Sequence, residues 1–222
     1  MTETAGRLGG PVFPVIFAAP SGAGKTSIAH ALRAARDDVE FSISATTRPP
    51  RPGEREGVDY FFHSEEEFRR MIDAGELLEW AVVHGNLYGT PRRNLDGAAG
   101  RGHHLLLDID VQGSRLVRGQ VPEAVSIFVL PPSGAELARR LIGRGSETGE
   151  LRRRRLTAAR EELLAAREFD YVVVNDSLDH AVETVGTILA AERQRISRIP
   201  ALQAFVAGLV AEVDQHLARE QF

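Results

Sequence analysis

The stretch PVIFAAPSGAGKT, residues 14–26, decides the fold class of this chain. Its apolar first half is typical of a buried strand, and residues 25–36 have helical character. Between them, Gly22 and Gly24 let the backbone turn tightly and point its N–H groups inward. A glycine-rich turn between a strand and a helix predicts a phosphate-binding loop, although Ala19 stands where the usual motif has its first glycine.

The phosphate-binding loop predicts which residues contact a nucleotide. Lys25 is expected to neutralise the β- and γ-phosphates, and Thr26 to ligate Mg²⁺. Lys25 is also the only lysine among the 27 basic residues, and its compact ammonium suits a narrow site that would refuse the wide fork of arginine. The residues expected to surround the phosphates are Ala19, Pro20, Ser21, Gly22, Ala23, Gly24, Lys25 and Thr26.

A second apolar run, HLLLDID at residues 104–110, predicts a buried strand that ends in two carboxylates. Ligands of open α/β sheets bind at the carboxyl ends of strands, and alternation places Asp108 and Asp110 on one face. We expect Asp110 to hold a water of the Mg²⁺ shell. For either aspartate alone, capping of the following turn is an equal alternative.

Composition bounds the class of protein. The 222 residues suffice for one α/β core with inserted subdomains, and the net charge of −4 disfavours a nucleic-acid binder. No apolar run is long enough for a membrane span, and the chain has no cysteine for disulfides or thiolate metal sites. We therefore expect a cytoplasmic protein with neither nucleic-acid nor membrane partners.

Strands alternate with helices at both ends of the chain, which predicts a parallel sheet covered by helices on both faces. Further strands are predicted at 41–47, 58–63, 77–83, 86–89, 125–130 and 171–175, with a hairpin turn between the third and fourth of these. Helices are predicted at 64–74, 133–142, 150–168 and 178–195, from Thr90-Pro91 onward, and after Pro200. Capping boxes are predicted from Ser64 with Glu67 and from Ser133 with Glu136.

The same pattern predicts the domain organisation. The consecutive short strands of 41–91 indicate an inserted subdomain, and 141–156 indicates a mobile lid. The predicted divisions are a flexible leader at 1–11, a core at 12–40, 92–140 and 157–199, the subdomain at 41–91, the lid at 141–156 and an amphipathic helix at 200–222.

The chain resembles the guanylate kinase family between Val15 and Arg193. The segments that carry the resemblance are APSGAGKTS, SISATTRPPRPGEREGVDYFF, LLEWAVVHGNLYGTP, LLLDIDVQG, RRLIGRG with RRLTAAREEL, and VVVND. The resemblance implies the fold of a P-loop nucleoside monophosphate kinase with a GMP-binding subdomain. It implies that ATP, with Mg²⁺, phosphorylates GMP to GDP in purine nucleotide recycling.

The resemblance also assigns the acceptor site. It places the GMP phosphate at Arg48, Arg51, Tyr60 and Tyr88, and a bidentate arginine fork suits a phosphate dianion. Guanine offers two adjacent donors, N1–H and the exocyclic amine, which the carboxylate of Glu79 would accept. Because adenine lacks both donors, it would leave a buried charge unpaired. The remaining residues assigned to guanine are Ser44, Thr90 and Asp108; capping a helix is an equal alternative for Thr90.

The lid arginines that the resemblance assigns to catalysis are Arg140, Arg144 and Arg155. Consecutive arginines at 152–155 point around a helix, so Arg152 is the alternative to Arg155, while a solvated face is expected for the two between them. Asn175 matches a position near the adenine of ATP, with a helix cap as the alternative. The GMP phosphate is already ionised, so no general base is expected.

Three questions stay open in the sequence. One alternative is a non-catalytic guanylate-kinase-like module that binds phosphopeptides. Such a module would not need Lys25, so the presence of this lysine disfavours it. A kinase of another phosphorylated small molecule would not need Glu79. The helix at 200–222 covers its apolar stripe either on its own chain or on a second copy, so the chain is either a monomer or a homo-oligomer.

Overall fold

A parallel sheet forms the centre of the protein in this computed structural model, which describes residues 10–83, 85–142 and 149–219. The five strands are ordered β2-β7-β1-β8-β9 and every neighbouring pair is parallel. They are β1 Val15–Ala18, β2 Val39–Phe41, β7 His104–Asp108, β8 Val125–Leu130 and β9 Tyr171–Val174. All of β1 is buried, as expected of a strand in a parallel sheet covered on both faces.

Helices cover both faces of this sheet. Leu105 and Leu107 pack in one cluster with Ala98 of α3 and Val117 of α4, whereas Leu106 between them is buried on the opposite face by strand alternation. The helices are α1 Lys25–Ala35, α3 Arg93–Arg101, α4 Val111–Gln120, α5 Gly134–Ile142, α6 Gly149–Leu164 and α7 Leu178–Arg193. A 3-10 turn, Ala165–Glu168, extends α6.

A second sheet of four strands, ordered β4-β3-β6-β5, lies within residues 45–91. Its strands are β3 Ala45–Thr46, β4 Phe61–Phe62, β5 Leu77–Val83 and β6 Asn86–Pro91. The helix α2, Glu65–Asp73, buries Phe68 and Met71 against Leu77 and Leu87 of the hairpin. Both halves of the predicted capping box of Ser64 and Glu67 are present at the start of α2.

The predicted strand at 41–47 is wrong as a single element. β2 ends at Phe41 in the central sheet, and β3 begins at Ala45 in the second sheet. Residues 42–44 carry the chain from one sheet to the other, which a run of β-forming residues does not reveal. The predicted strand at 58–63 is likewise reduced to Phe61–Phe62.

Three predicted boundaries also differ from the structure. Pro91 does not open a helix: it ends β6 opposite Leu77, and α3 begins at Arg93 without a side-chain cap. β7 stops at Asp108, and the next residues turn into α4, a helix that the sequence pattern did not predict. At α5, Ser133 accepts from the Glu136 N–H over 3.1 Å, but the Glu136 carboxylate binds arginines, so only half of that capping box forms.

The chain divides into two compact units. One is Phe13–Val185, and the described part of the other is residues 10–12 with 186–219. The second unit holds the end of α7, a 3-10 turn at Ile196–Arg198 and the predicted C-terminal helix, α8 Leu202–Arg219. None of the described helices has the length and apolarity needed to cross a membrane.

Candidate active site

The phosphate loop turns between β1 and α1 through two left-handed glycines. Gly22 has a φ of 86° and Gly24 a φ of 92°, values that glycine adopts without strain. The Ala23 N–H donates to the Pro20 carbonyl over 3.0 Å and closes the turn. Because α1 begins at Lys25 with no side-chain cap, the amides of its first turn are left for an anion.

Asp108 joins the phosphate loop to the end of β7. The Lys25 ammonium contacts one oxygen of Asp108 and donates to the Ile109 carbonyl over 2.8 Å. The Thr26 hydroxyl donates to the other oxygen of Asp108 over 3.2 Å. These groups meet because β1 and β7 are parallel neighbours, with Phe17 opposite Asp108, and end at the same edge of the sheet.

The donor set at this edge fits Mg²⁺. A hydroxyl, Thr26, and a carboxylate, Asp108, are hard oxygen ligands within reach of one ion. Among the described residues, no three His, Cys, Asp or Glu side chains cluster as a metal site. Mg²⁺ commonly binds through one or two carboxylates, waters and substrate phosphates, so a sparse protein contribution is what a nucleotide-borne ion requires.

Asp110 follows the end of β7 and is the N-cap residue of α4. Its Oδ1 accepts from the Gly113 N–H over 2.7 Å and caps α4. The strand ends at Asp108, so the alternation from which a shared face of Asp108 and Asp110 was predicted does not extend to Asp110. Asp110 instead neighbours Glu79: a Cβ built on Gly113 would lie 3.3 Å from a carboxylate oxygen of each.

Glu79 is a largely buried carboxylate on β5. It lies opposite Thr90 of β6, whose hydroxyl donates to its Oε1 over 2.5 Å. Burial raises the pKa of Glu79, the negative charge of Asp110 adds to that effect, and the Thr90 hydrogen bond opposes it. The described residues supply no lysine or arginine partner to Glu79, so its charge is left for a ligand.

Three residues expected at the GMP phosphate form one cluster: Arg48, Tyr60 and Tyr88. Arg48 donates from Nε to the Tyr88 hydroxyl over 3.2 Å, and its guanidinium lies 5.3 Å from the centre of the Tyr60 ring. Its Nη2 donates to Glu54 over 2.8 Å, which raises the pKa of Arg48. The side chain of Arg51 is exposed, while its N–H donates to Glu54 over 2.7 Å.

Ser44 lies one residue before β3, and its carbonyl accepts from the Phe61 N–H over 2.9 Å. The backbone of Ser44 thus joins the second sheet at β4, and β3, which follows Ser44, pairs with the strand β6 that carries both Tyr88 and Thr90. Together, residues 44–90 bring a buried carboxylate and a basic, hydroxyl-rich cluster onto one small sheet.

A cavity of about 540 Å³ opens beside the phosphate loop. Asn175, at the end of β9, is buried and donates from its amide to the Ala23 carbonyl over 2.8 Å. A Cβ on Gly24 would meet that amide at 2.2 Å, so glycine is required there. The cavity is lined by Gly22, Gly24, Ser27, Arg139, Arg140, Asn175, Asp176, Ser177 and Leu178.

The predicted lid arginines differ in their contacts and in their burial. Arg140 donates to Glu136 over 2.7 Å and to the Ala23 carbonyl over 3.2 Å, so its guanidinium contacts the phosphate loop. Arg152 and Arg155 are half-buried on α6, whereas Arg153 and Arg154 are exposed, as the helical spacing predicted. Arg144 lies outside the described residues.

Residues 12–192 match the family model described as guanylate kinase. The chain belongs to the guanylate kinase family. It is 48% identical over 199 residues to the guanylate kinase of Chelativorans sp., covering 89% of this chain and 91% of that relative. It is 48% identical over 184 residues to the guanylate kinase of Geobacter sulfurreducens, covering 83% and 91% of the two chains.

A solved guanylate kinase, from Anaplasma phagocytophilum, has the same fold with a TM-score of 0.72. Its identity is 34%, and the match covers 91% of this chain and 97% of that one. These findings confirm the family that the sequence motifs indicated and the predicted α/β fold with its parallel sheet. The family-model match ends at residue 192, and α8 begins at Leu202.

Two acidic residues of this guanylate kinase site were missed by the sequence reasoning. Glu54 bridges Arg48 and the backbone of Arg51, and Arg48 lowers the pKa of its carboxyl. The signal available for Glu54 was local charge: one carboxylate in a loop rich in arginine. Glu162 accepts a hydrogen bond from the Ser21 N–H of the phosphate loop over 3.1 Å. No local sequence pattern predicted that contact.

Proposed function

We propose that this chain transfers the γ-phosphoryl group of ATP to GMP, giving ADP and GDP. The observation that carries the proposal is the buried carboxylate of Glu79, which has a neutral hydroxyl partner and no cation among the described residues. Guanine supplies two adjacent N–H donors to such a group. A base without them would leave the charge unpaired in a site that excludes water.

The phosphate of GMP would bind at the Arg48 cluster. Arg48 donates to the Tyr88 hydroxyl, the Glu54 carboxylate and the Pro49 carbonyl, which hold the fork in place. One N–H on each terminal nitrogen is left for a phosphate oxygen. Arg51, Tyr60 and Tyr88 would complete the set with one exposed guanidinium and two hydroxyls. Ser44 and Thr90 would contact the guanine ring beside Glu79.

The phosphates of ATP would occupy the loop of residues 19–26, with Lys25 and the N-terminal amides of α1 around them. The cavity beside the loop, about 540 Å³, has room for the nucleoside. Asn175 lines that cavity, although its amide is engaged by the loop carbonyl of Ala23. The proposed contact of Asn175 with adenine would therefore use the other atoms of its amide.

Thr26 and Asp108 are the residues we propose to hold Mg²⁺. When bound with ATP, Mg²⁺ would supply positive charge that stabilises the phosphates during transfer. The sequence assigned a water of the Mg²⁺ shell to Asp110 and a guanine contact to Asp108. The geometry favours Asp108 for Mg²⁺, because Asp108 contacts Thr26. It favours Asp110 for the guanine contact, because Asp110 neighbours Glu79.

The chemistry itself needs positioning and charge more than proton transfer, because the attacking phosphate oxygen is already ionised. Lys25 would neutralise the transferring group, and Arg140, Arg144 and Arg155 would stabilise the charge that spreads over it. Residues 141–156 would exclude water as a lid and so prevent hydrolysis of ATP. We place this activity in the cytoplasm, on the composition of the chain and the resemblance to the family.

A coupled assay of ATP turnover tests the proposal, with GMP, AMP, CMP, UMP and ribose phosphates as acceptors, each with and without Mg²⁺. Fast Mg²⁺-dependent turnover with GMP alone is the expected result. Tight GMP binding without turnover would indicate a non-catalytic binding module. Turnover with only a non-guanine acceptor would support the assignment of ATP to the phosphate loop. It would overturn the assignment of Glu79 to guanine recognition.

A further inference from the structure

The carboxylate of Glu162 reaches the phosphate loop from a helix far along the chain. Its Oε2 accepts a hydrogen bond from the Ser21 N–H over 3.1 Å, and its side chain is half-buried. Glu161 next to it is exposed and pairs with Arg160 over 2.5 Å. Of these two adjacent glutamates, only Glu162 contacts the loop.

Glu162 shares one face of α6 with Arg155. Seven residues are close to two helical turns, so the two side chains leave the same face about 10 Å apart along the axis. Ala159, between them on that face, is buried and packs with Leu137 and Leu141 of α5. This face of α6 is therefore fixed against α5, with the arginine at one end and the glutamate at the other.

Helix α5 holds the same loop at the next two residues. Leu141 packs against Gly22, where a Cβ would lie 3.3 Å from the leucine side chain. Arg140 donates to the Ala23 carbonyl over 3.2 Å. The helix pair α5–α6 thus contacts three consecutive loop residues: Ser21 through Glu162, Gly22 through Leu141 and Ala23 through Arg140.

We propose that Glu162 is a positioning residue that anchors α6 to the phosphate loop, so that Arg155 and Lys25 converge on the transferring phosphoryl group. The proposal rests on the proposed phosphoryl transfer. Glu162 acts through the Ser21 amide and touches no substrate. Its negative charge works against polyphosphate binding, so the hydrogen-bonded anchor, and not charge, is its contribution.

The test compares Glu162→Ala, Glu162→Gln and the matched control Glu161→Ala in steady-state turnover. Glu162→Ala should lower kcat about 10-fold and leave the KM for GMP unchanged, because the acceptor site does not include it. Glu162→Gln keeps an acceptor oxygen and should stay within about twofold of the parent chain. Glu161→Ala should behave as the parent. Melting temperatures of all variants check the fold.

Amide hydrogen exchange of the loop peptide supplies a readout that does not depend on activity. Glu162→Ala should speed exchange at Ser21, and Glu161→Ala should not. The proposal is overturned by unchanged exchange, by an equal loss of kcat in both alanine variants, or by a loss in Glu162→Ala that appears in the KM for GMP. If the parent chain fails to phosphorylate GMP while Glu162→Ala still opens the loop, the proposed function fails and the anchor stands.

Discussion

Four carboxylates of the site differ in role because each has a different partner. Asp108 contacts an ammonium and a hydroxyl, Asp110 caps a helix, and Glu54 binds a guanidinium. Glu79 has only a hydroxyl and a buried setting, which raises its pKa. Helix capping by Asp110 and arginine positioning by Glu54 follow from these contacts, and we propose metal binding for Asp108 and base recognition for Glu79.

At the level of this residue, Glu79→Gln should remove the preference for guanine. The amide presents an NH₂ group where the carboxylate accepted from the base, so kcat/KM for GMP should fall by about 100-fold relative to that for AMP. The KM for ATP should stay close to that of the parent. Steady-state kinetics with both acceptors measure the ratio, and an unchanged preference for GMP over AMP would remove Glu79 from base recognition.

The raised pKa of Glu79 also predicts how stability depends on pH. Because the folded chain holds this proton more tightly than the unfolded chain, the stabilisation is complete below the ordinary glutamate pKa of about 4.3 and is lost as pH rises through the raised value. Without nucleotide, Glu79→Gln should therefore melt at a higher temperature than the parent at neutral pH. The two should converge in acid.

Melting curves of the parent, Glu79→Gln and the exposed control Glu76→Gln between about pH 4 and pH 8 measure this dependence. The control should follow the parent at every pH. A parent-minus-variant difference that is constant across the range would contradict the assigned cause, since only a titrating group makes the difference depend on pH. Saturating GMP should reduce the difference at neutral pH by supplying donors to the carboxylate.

The charge of a second single residue, Lys25, is predicted to set the rate of phosphoryl transfer. Lys25→Ala should lower kcat by about 100-fold to 1,000-fold while the protein stays folded, because a preorganised charge at the transferring group is lost. Lys25→Arg should restore the charge and not the rate, since a wide planar fork would replace the compact ammonium that contacts Asp108 and the Ile109 carbonyl. Near-parent turnover of folded Lys25→Ala would exclude a catalytic role.

At the scale of elements, the end of β7 and the start of α4 separate two aspartates by function. Asp108→Asn should raise the Mg²⁺ concentration needed for half-maximal turnover and leave the KM for GMP unchanged. Asp110→Asn should leave the Mg²⁺ response unchanged, because asparagine still caps α4. Titrations of activity with Mg²⁺ measure both. A shift confined to Asp110→Asn would support the assignment made from the sequence.

The sequence predicted elements where local pattern decided them. The fully apolar β1, the capping box at Ser64 and the hairpin with its turn at Gly85 follow from residue type and spacing. α4 was missed because it contains two glycines and follows a strand without a break, so its start is set by the side chain of Asp110 alone. Of the two roles considered for Thr90, helix capping is wrong, because Thr90 lies in β6 and its hydroxyl donates to Glu79 across the hairpin.

The site was predictable to the extent that motif position fixes a contact. The cluster of Arg48, Tyr60 and Tyr88 comes together as the motifs indicated. The partners Glu54 and Glu162 were not found, since a tertiary contact such as Ser21 with Glu162 spans 141 residues and leaves no local trace. We propose Asp108 instead of Asp110 for Mg²⁺, because the alternation used in the sequence was extended two residues beyond the end of β7.

At the scale of the whole molecule, every described residue that we assign to substrate lies in the unit Phe13–Val185. The family match ends at 192, and α8 follows it with exposed Val206, Leu209, Val210, Val213 and Leu217. The choice between a monomer and a homo-oligomer through this helix stays a prediction for size-exclusion chromatography with light scattering. The predicted boundaries at 41–91 and 141–156 likewise stay predictions.

The solitary Lys25 has a practical consequence for spectroscopy. Protein grown on isotope-labelled lysine would give a single backbone amide resonance, and it would arise from the phosphate loop. No resonance assignment would be needed to follow nucleotide occupancy, exchange between bound states or the effect of distant substitutions on the loop. The composition of the chain thus places one magnetic reporter at the position where the two substrates are proposed to meet.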